Sequence, residues 1–216
     1  MTRRQITIWF VVGIVLALIS VLLLDRPIAA FVQSVDGCHC AVLKEGTRWL
    51  EVASGFPINR YFVTFVLGGI ALLLFLWKST RATAWVILFI ASAHIVTRLV
   101  AGILKNVFHR LRPFEVIEAG NWDWKFFGDH GSSFPSGHSA HFWGLFFPLA
   151  FLFPRYRIPL LVLPVFICVA RVGVNDHWTS DVIASFAIAA AITLLFIWLY
   201  RMKGPAVKPG ADAPAR

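Results

Sequence analysis

Residues 6–24 read ITIWFVVGIVLALISVLLL, an uncharged run that follows Arg3-Arg4 and ends at Asp25. A helix rises about 1.5 Å per residue, so a run of this length nearly crosses the roughly 30 Å hydrocarbon layer of a bilayer. Ile28-Ala29-Ala30 could precede a signal-peptide cleavage site. The apolar run is longer than a usual signal core, which favours an uncleaved transmembrane helix.

The rest of the chain agrees. It has 216 residues, of which 58% are hydrophobic and 14% charged, with mean hydropathy +0.74. A soluble domain carries about a quarter charged residues. The expectation is an all-α, polytopic membrane bundle of six transmembrane helices. After residues 6–24, the spans are placed at Tyr61–Trp77, Ala84–Leu104, Ser139–Phe153, Arg157–Val174 and Asp181–Tyr200. Residues Leu43–Val52 fit a short interfacial helix. Residues 1–203 form the membrane domain, and 204–216, rich in Pro, Ala and Gly, form a disordered cytoplasmic tail.

Six spans put both termini on one side. Arg3, Arg4, Lys78, Arg81, Arg155, Arg157, Arg201, Lys203, Lys208 and Arg216 fall on that side, opposed there by Asp212. Cationic loops stay in the cytoplasm, so the termini are expected inside and the opposite loops outside. The net charge of +9 is therefore a topology signal, and a nucleic-acid partner has no basis. The partners expected are the lipid bilayer and a membrane lipid phosphate.

The outer loops carry the unusual chemistry in three stretches. The first is Lys105-Asn-Val-Phe-His-Arg-Leu-Arg112-Pro113. Lys105 and Arg112 are two helical turns apart and share a face if the helix continues. Two such cations can neutralise a phosphate, or they can simply snorkel at a helix end. The second is Phe134-Pro135-Ser136-Gly137-His138-Ser139. Pro135 and Gly137 mark a turn, and Ser136 can cap the next helix, whose free N–H groups suit an anion. The third is Arg171-Val-Gly-Val-Asn-Asp-His177-Trp-Thr-Ser-Asp181. His177 and Asp181 are one helical turn apart and can hydrogen-bond. A carboxylate on one imidazole nitrogen orients the other as nucleophile or base. Capping alone is the plainer role for Asp181.

In this order and spacing, the three stretches resemble the signature of the type 2 phosphatidic acid phosphatase (PAP2) family. The resemblance covers roughly Lys105–Asp181. It implies a PAP2-like bundle that removes phosphate from membrane lipids without a metal or other cofactor. His177 would be the nucleophile, Asp181 its orienting acid and His138 the proton donor to the leaving group. Lys105, Arg112, Ser136, Gly137 and Arg171 would bind phosphate. Ala170 stands where the family usually has Ser, which removes one hydroxyl contact.

Other residues are weighed beside these. His94, Arg98 and Lys105 lie near one stripe of a span, and an intramembrane Arg is costly and often functional. His141 follows His138 by one turn. All three outside the signature — His94, Arg98 and His141 — fit support or substrate contact. His109, Arg110 and His130 fit loop or headgroup contacts. Trp122, Trp124, Phe126 and Phe127 form an aromatic outer loop, either an interfacial anchor or a lip over the headgroup. Cys38, His39 and Cys40 are too few ligands for zinc. The candidate substrates are undecaprenyl pyrophosphate, phosphatidylglycerophosphate, phosphatidic acid and lipid A phosphate. Phosphotransfer to another lipid and a non-catalytic headgroup-binding transporter are the rivals. Mere binding would not need the His177–Asp181 pair. Haloperoxidases share the phosphate signature, but they are soluble.

Overall fold

Pro27 sets the shape of the first helix. It has no N–H, and its ring collides with the carbonyl four residues back. In the computed structural model, which describes residues 1–36, 40–122 and 125–201, α1 (Arg3–Ile19) widens into a π turn at Ser20–Leu24 just before this proline. The chain then continues as α2 (Asp25–Ser34). The widened turn leaves Asp25 buried at the junction, 1% exposed. Trp124, Cys38, His39 and the 204–216 tail lie outside the described residues.

The remaining helices are α3 (Ala41–Ala53), α4 (Phe62–Leu74), α5 (Arg81–Phe108), α6 (Pro113–Glu118), α7 (Gly137–Leu152), α8 (Arg157–Gly173) and α9 (Thr179–Leu199). No strand occurs among the described residues. Each of the six expected spans falls on a helix, and α3 matches the short helix expected near Leu43–Val52. Four helical stretches, at Arg3–Ser34, Lys78–Glu118, Pro154–Gly173 and Thr179–Leu199, are long and apolar enough to cross a membrane. Helices α4 and α7 have 13 and 16 residues, short of the roughly 20 that a full crossing needs.

Helices α5, α7 and α9 form the centre, with α1 against α9, α4 against α5 and α8 against α7. The inner stripe of α5 includes Ile90, His94, Thr97 and Ala101, at helical spacing. Phe89, Trp143, Phe147, Phe151 and Ile197 fill the core between them. Small residues let the helices approach. A Cβ on Gly144 would meet Thr97 Cβ at 3.0 Å, and one on Gly13 would meet Phe186 at 2.9 Å. The outer surface is apolar, with Ile8, Leu22, Leu72 and Val162 exposed. Water would penalise that surface, whereas lipid tails match it.

The C-terminus of α5 and the N-termini of α7 and α9 lie at one end of the bundle. The three signature stretches are brought together there. The α3–α4 connection and α6 close over this end.

Candidate active site

The first stretch does not stay helical. α5 stops at Phe108, where His109 adopts φ 42 as its C-cap. Pro113 then opens α6, with Arg112 as its N-cap. Lys105 and Arg112 converge because the chain turns, not because they share a helix face. Lys105 Nζ donates to the carbonyls of Ser132 and Ser133. These bonds tie the end of α5 to the segment leading into α7.

Lys105, Arg112, Gly137, His138 and His177 line one cavity of about 500 Å³. Arg98 joins them from two turns deeper on α5, and its guanidinium donates to the Gly137 carbonyl. The segment from Phe56 to Tyr61 forms the opposite wall. Phe56 packs on His138 at 4.9 Å and holds the Arg98 guanidinium 5.0 Å from its ring centre.

His177 precedes α9 and is 2% exposed. Its Nδ1 lies 3.4 Å from Asp181 Oδ2. That is long for a hydrogen bond, as is common in sites without a bound substrate. The backbone N–H of Trp178 donates to the same oxygen at 3.0 Å, and the Ser133 hydroxyl donates to it as well. Asp181 therefore caps α9 and orients His177 together. Burial pushes the His177 imidazole down to about 3, outweighing the Asp181 hydrogen bond. The Lys105 and Arg112 charges act in the same downward direction. At neutral pH the ring is uncharged.

Arg171 reaches the site through Asp176. The Asp176 carboxylate pairs with both Arg112 and Arg171, and Oδ2 lies 4.0 Å from His177 Nε2. An anion thus sits between two guanidinium groups in front of the outward nitrogen of His177. His138, Asp176 and His177 also present ligand atoms within 4.8 Å of one another. The two guanidiniums on Asp176 would repel a cation placed there.

Ser136 takes the capping role that its position allowed. Its hydroxyl is fully buried and accepts from Ser139 N at 3.3 Å as the N-cap of α7. His94 and His141 lie behind the cavity. His94 Nε2 and His141 Nδ1 hydrogen-bond at 3.0 Å, and Thr64 Oγ1 bonds His94 Nδ1 at 2.6 Å. Phe56 packs edge-on to His141 at 5.1 Å. Ala170 is wholly buried.

Arg110 is not a loop or headgroup contact. Its side chain is 0% exposed and pairs at 2.7 Å with both Asp181 Oδ1 and Asp25 Oδ2. Phe126 and Trp178 cover its guanidinium at 4.4 and 5.0 Å. Phe126 is therefore part of this buried box rather than a lip over a headgroup. Phe127 is 70% exposed. Sequence reasoning passed over Asp25, Glu51, Phe56, Arg60 and Ser133. Asp25 left a signal, an acid at the end of an apolar span that needs a buried partner. Glu51, Oε1 of which lies 2.6 Å from His138 Nε2, left none. That hydrogen bond holds the Glu51 carboxyl below its usual range.

Two curated relatives bear the name lipid A 1-phosphatase. The one from Rhizobium etli is 30% identical over 210 residues, spanning 90% of this chain and 84% of the relative. The one from Rhizobium johnstonii is 29% identical over 204 residues, spanning 90% and 81%. No solved structure matches. The PAP2 superfamily profile matches residues 82–205, which include all three stretches. With more than half of its length so matched, and with the three stretches meeting in one cavity, this chain belongs to the PAP2 superfamily.

Proposed function

We propose that this protein is a lipid phosphate phosphatase that works through a phosphohistidine. The observation that carries the reading is the buried His177–Asp181 pair facing a cavity lined by Lys105, Arg112 and Arg98. His177 Nε2 attacks phosphorus, and the bond from phosphorus to the lipid oxygen breaks. His138 gives its proton to that leaving oxygen. A water then attacks phosphorus and passes a proton to His138. The P–N bond breaks and its electron pair returns to His177. The cations stabilise the charge that gathers on the phosphoryl oxygens.

The lipid A 1-phosphatase relatives favour lipid A phosphate among the candidate substrates. Undecaprenyl pyrophosphate, phosphatidylglycerophosphate and phosphatidic acid fit the same cationic cavity. The reaction needs no metal in this reading, since the guanidiniums occupy the place a cation would take. The apolar outer surface and the cationic loops at the end opposite the site support six spans, with both termini cytoplasmic. The site then faces the outside of a bacterial inner membrane.

The test is phosphate release by the purified protein from each lipid, with EDTA present. His177→Ala should abolish release while eluting as the folded protein. Full activity in that variant, or a requirement for added metal, would overturn the reading.

A further inference from the structure

Helix α3 precedes the segment matched by the family, yet it reaches the reacting groups. Two close approaches fix it to α8. A Cβ on Gly46 would meet Phe166 Cζ at 2.6 Å, and one on Gly173 would meet Leu43 Cδ1 at 2.6 Å. Thr47, one turn before Glu51, is buried. The helix is thus held in register, and Glu51 is presented to the site from its last turn.

The Glu51 carboxylate meets His138 Nε2 at 2.6 Å, while Phe56, five residues on, packs on the face of the same ring. The imidazole is held at one edge and on one face by a segment outside the three signature stretches. Its surroundings are otherwise largely cationic. Arg98 from α5 and Arg171 from α8 act on it, and His141 lies one turn away on α7. Asp176 and His177 approach from the α8–α9 connection. Asp176 is already engaged by Arg112 and Arg171.

We infer that Glu51 is the positioning residue of His138, so that each catalytic imidazole has its own carboxylate. This rests on the phosphatase reading above, in which His138 protonates the leaving oxygen. Glu51 accepts from Nε2–H and leaves Nδ1 as the nitrogen that serves the lipid oxygen. Its charge favours the imidazolium form needed before proton transfer. Once His138 has given up its proton, the fixed ring presents Nδ1 to the incoming water.

The experiment compares kcat/KM of the full chain in detergent for two substrates. One is a lipid alkyl phosphate, whose alkoxide needs a proton to leave. The other is p-nitrophenyl phosphate, whose phenolate leaves without one. Glu51→Gln should lower kcat/KM for the alkyl phosphate by about 10- to 100-fold, a share of what general acid catalysis contributes. It should leave the aryl phosphate nearly unchanged. The pH limb that requires a protonated group should move to lower pH, and Glu51→Asp should restore part of the loss. Equal losses on both substrates would overturn the inference in favour of a structural role. Higher activity in Glu51→Gln would overturn it in favour of a carboxylate that blocks the site. A wild-type protein inactive on both substrates would bring down the phosphatase reading and this inference with it.

Discussion

Arg110 Nη1 lies 2.7 Å from Asp181 Oδ1, and neither side chain is exposed. The other arm of the guanidinium reaches Asp25 at the same distance. Ser180 joins the group, donating to Asp25 from its hydroxyl at 2.5 Å and from its backbone at 2.8 Å. The acid that orients His177 is thus tied to the first helix of the bundle.

Arg110→Ala should therefore damage stability and chemistry together. Removing one member of a buried ion pair leaves unpaired charge and costs about 3–5 kcal/mol. Two carboxylates would remain here, so the melting temperature in detergent should fall steeply. Asp25→Asn should cost less, because the amide oxygen can still accept from Ser180. A loss of kcat in the Asp25→Asn protein, with KM little changed, would show the tie reaching Asp181. Wild-type melting and kcat in Arg110→Ala would rule it out.

Asp176 makes a second prediction. Its carboxylate pairs with Arg112 and Arg171, the two guanidiniums that would bind phosphate in the proposed reaction. A phosphate must displace or share those contacts. Asp176→Asn removes the competing charge and keeps the shape. Competitive inhibition by inorganic phosphate should tighten by about tenfold, equivalent to about 1.4 kcal/mol. Weaker inhibition would mean that Asp176 instead orders the two guanidiniums for phosphate.

The bundle was legible because nearly all its evidence is local. Uncharged runs and their flanking charges located six helices, and the motif spacing located the converging ends. What the sequence did not disclose depends on contacts between distant segments. Arg110 reads as one more cation in a basic loop, and its burial follows from pairing with Asp25, 85 residues away. Glu51 lies in an amphipathic helix whose charges read as a solvated face. Ser136 reads equally well as a helix cap or a phosphate ligand, and the cap is what the fold uses. The exit of the chain at His109 was hidden by Pro113, which marks the start of α6 rather than the end of α5.

Arg98 and Arg60 extend the cationic lining away from His177. Arg98 is 8% exposed, and no carboxylate pairs with it among the described residues. A buried cation without an acid is costly, and a substrate anion would offset that cost. Arg98→Gln should raise KM for lipid phosphates by about 10- to 100-fold, the value of one charge-assisted contact of about 1.5–3 kcal/mol. Arg60 is exposed, and Arg60→Ala should act more weakly in the same direction. Unchanged KM in both variants would make Arg98 a structural group that holds only the Gly137 carbonyl.

The buried neutral His177 predicts how stability responds to acid. Its folded-state value is about 3, against 6.5 for the free imidazole. Above pH 6.5 neither the folded nor the unfolded chain carries this proton. Below it, the unfolded chain takes up a proton that the folded chain refuses until about pH 3. Stability present above pH 6.5 is therefore lost progressively as pH falls toward 3. Glu51, held below its usual range by His138, adds a loss in the same direction as pH falls through and below the ordinary carboxyl range. His177→Asn keeps a neutral hydrogen-bonding group at the position and removes its titration. Melting temperatures in detergent, followed from neutral pH downward, should fall less steeply in His177→Asn than in the wild type. Parallel slopes would mean that the folded chain takes up the His177 proton at the same pH as the unfolded chain, and burial would then not be what keeps the ring neutral.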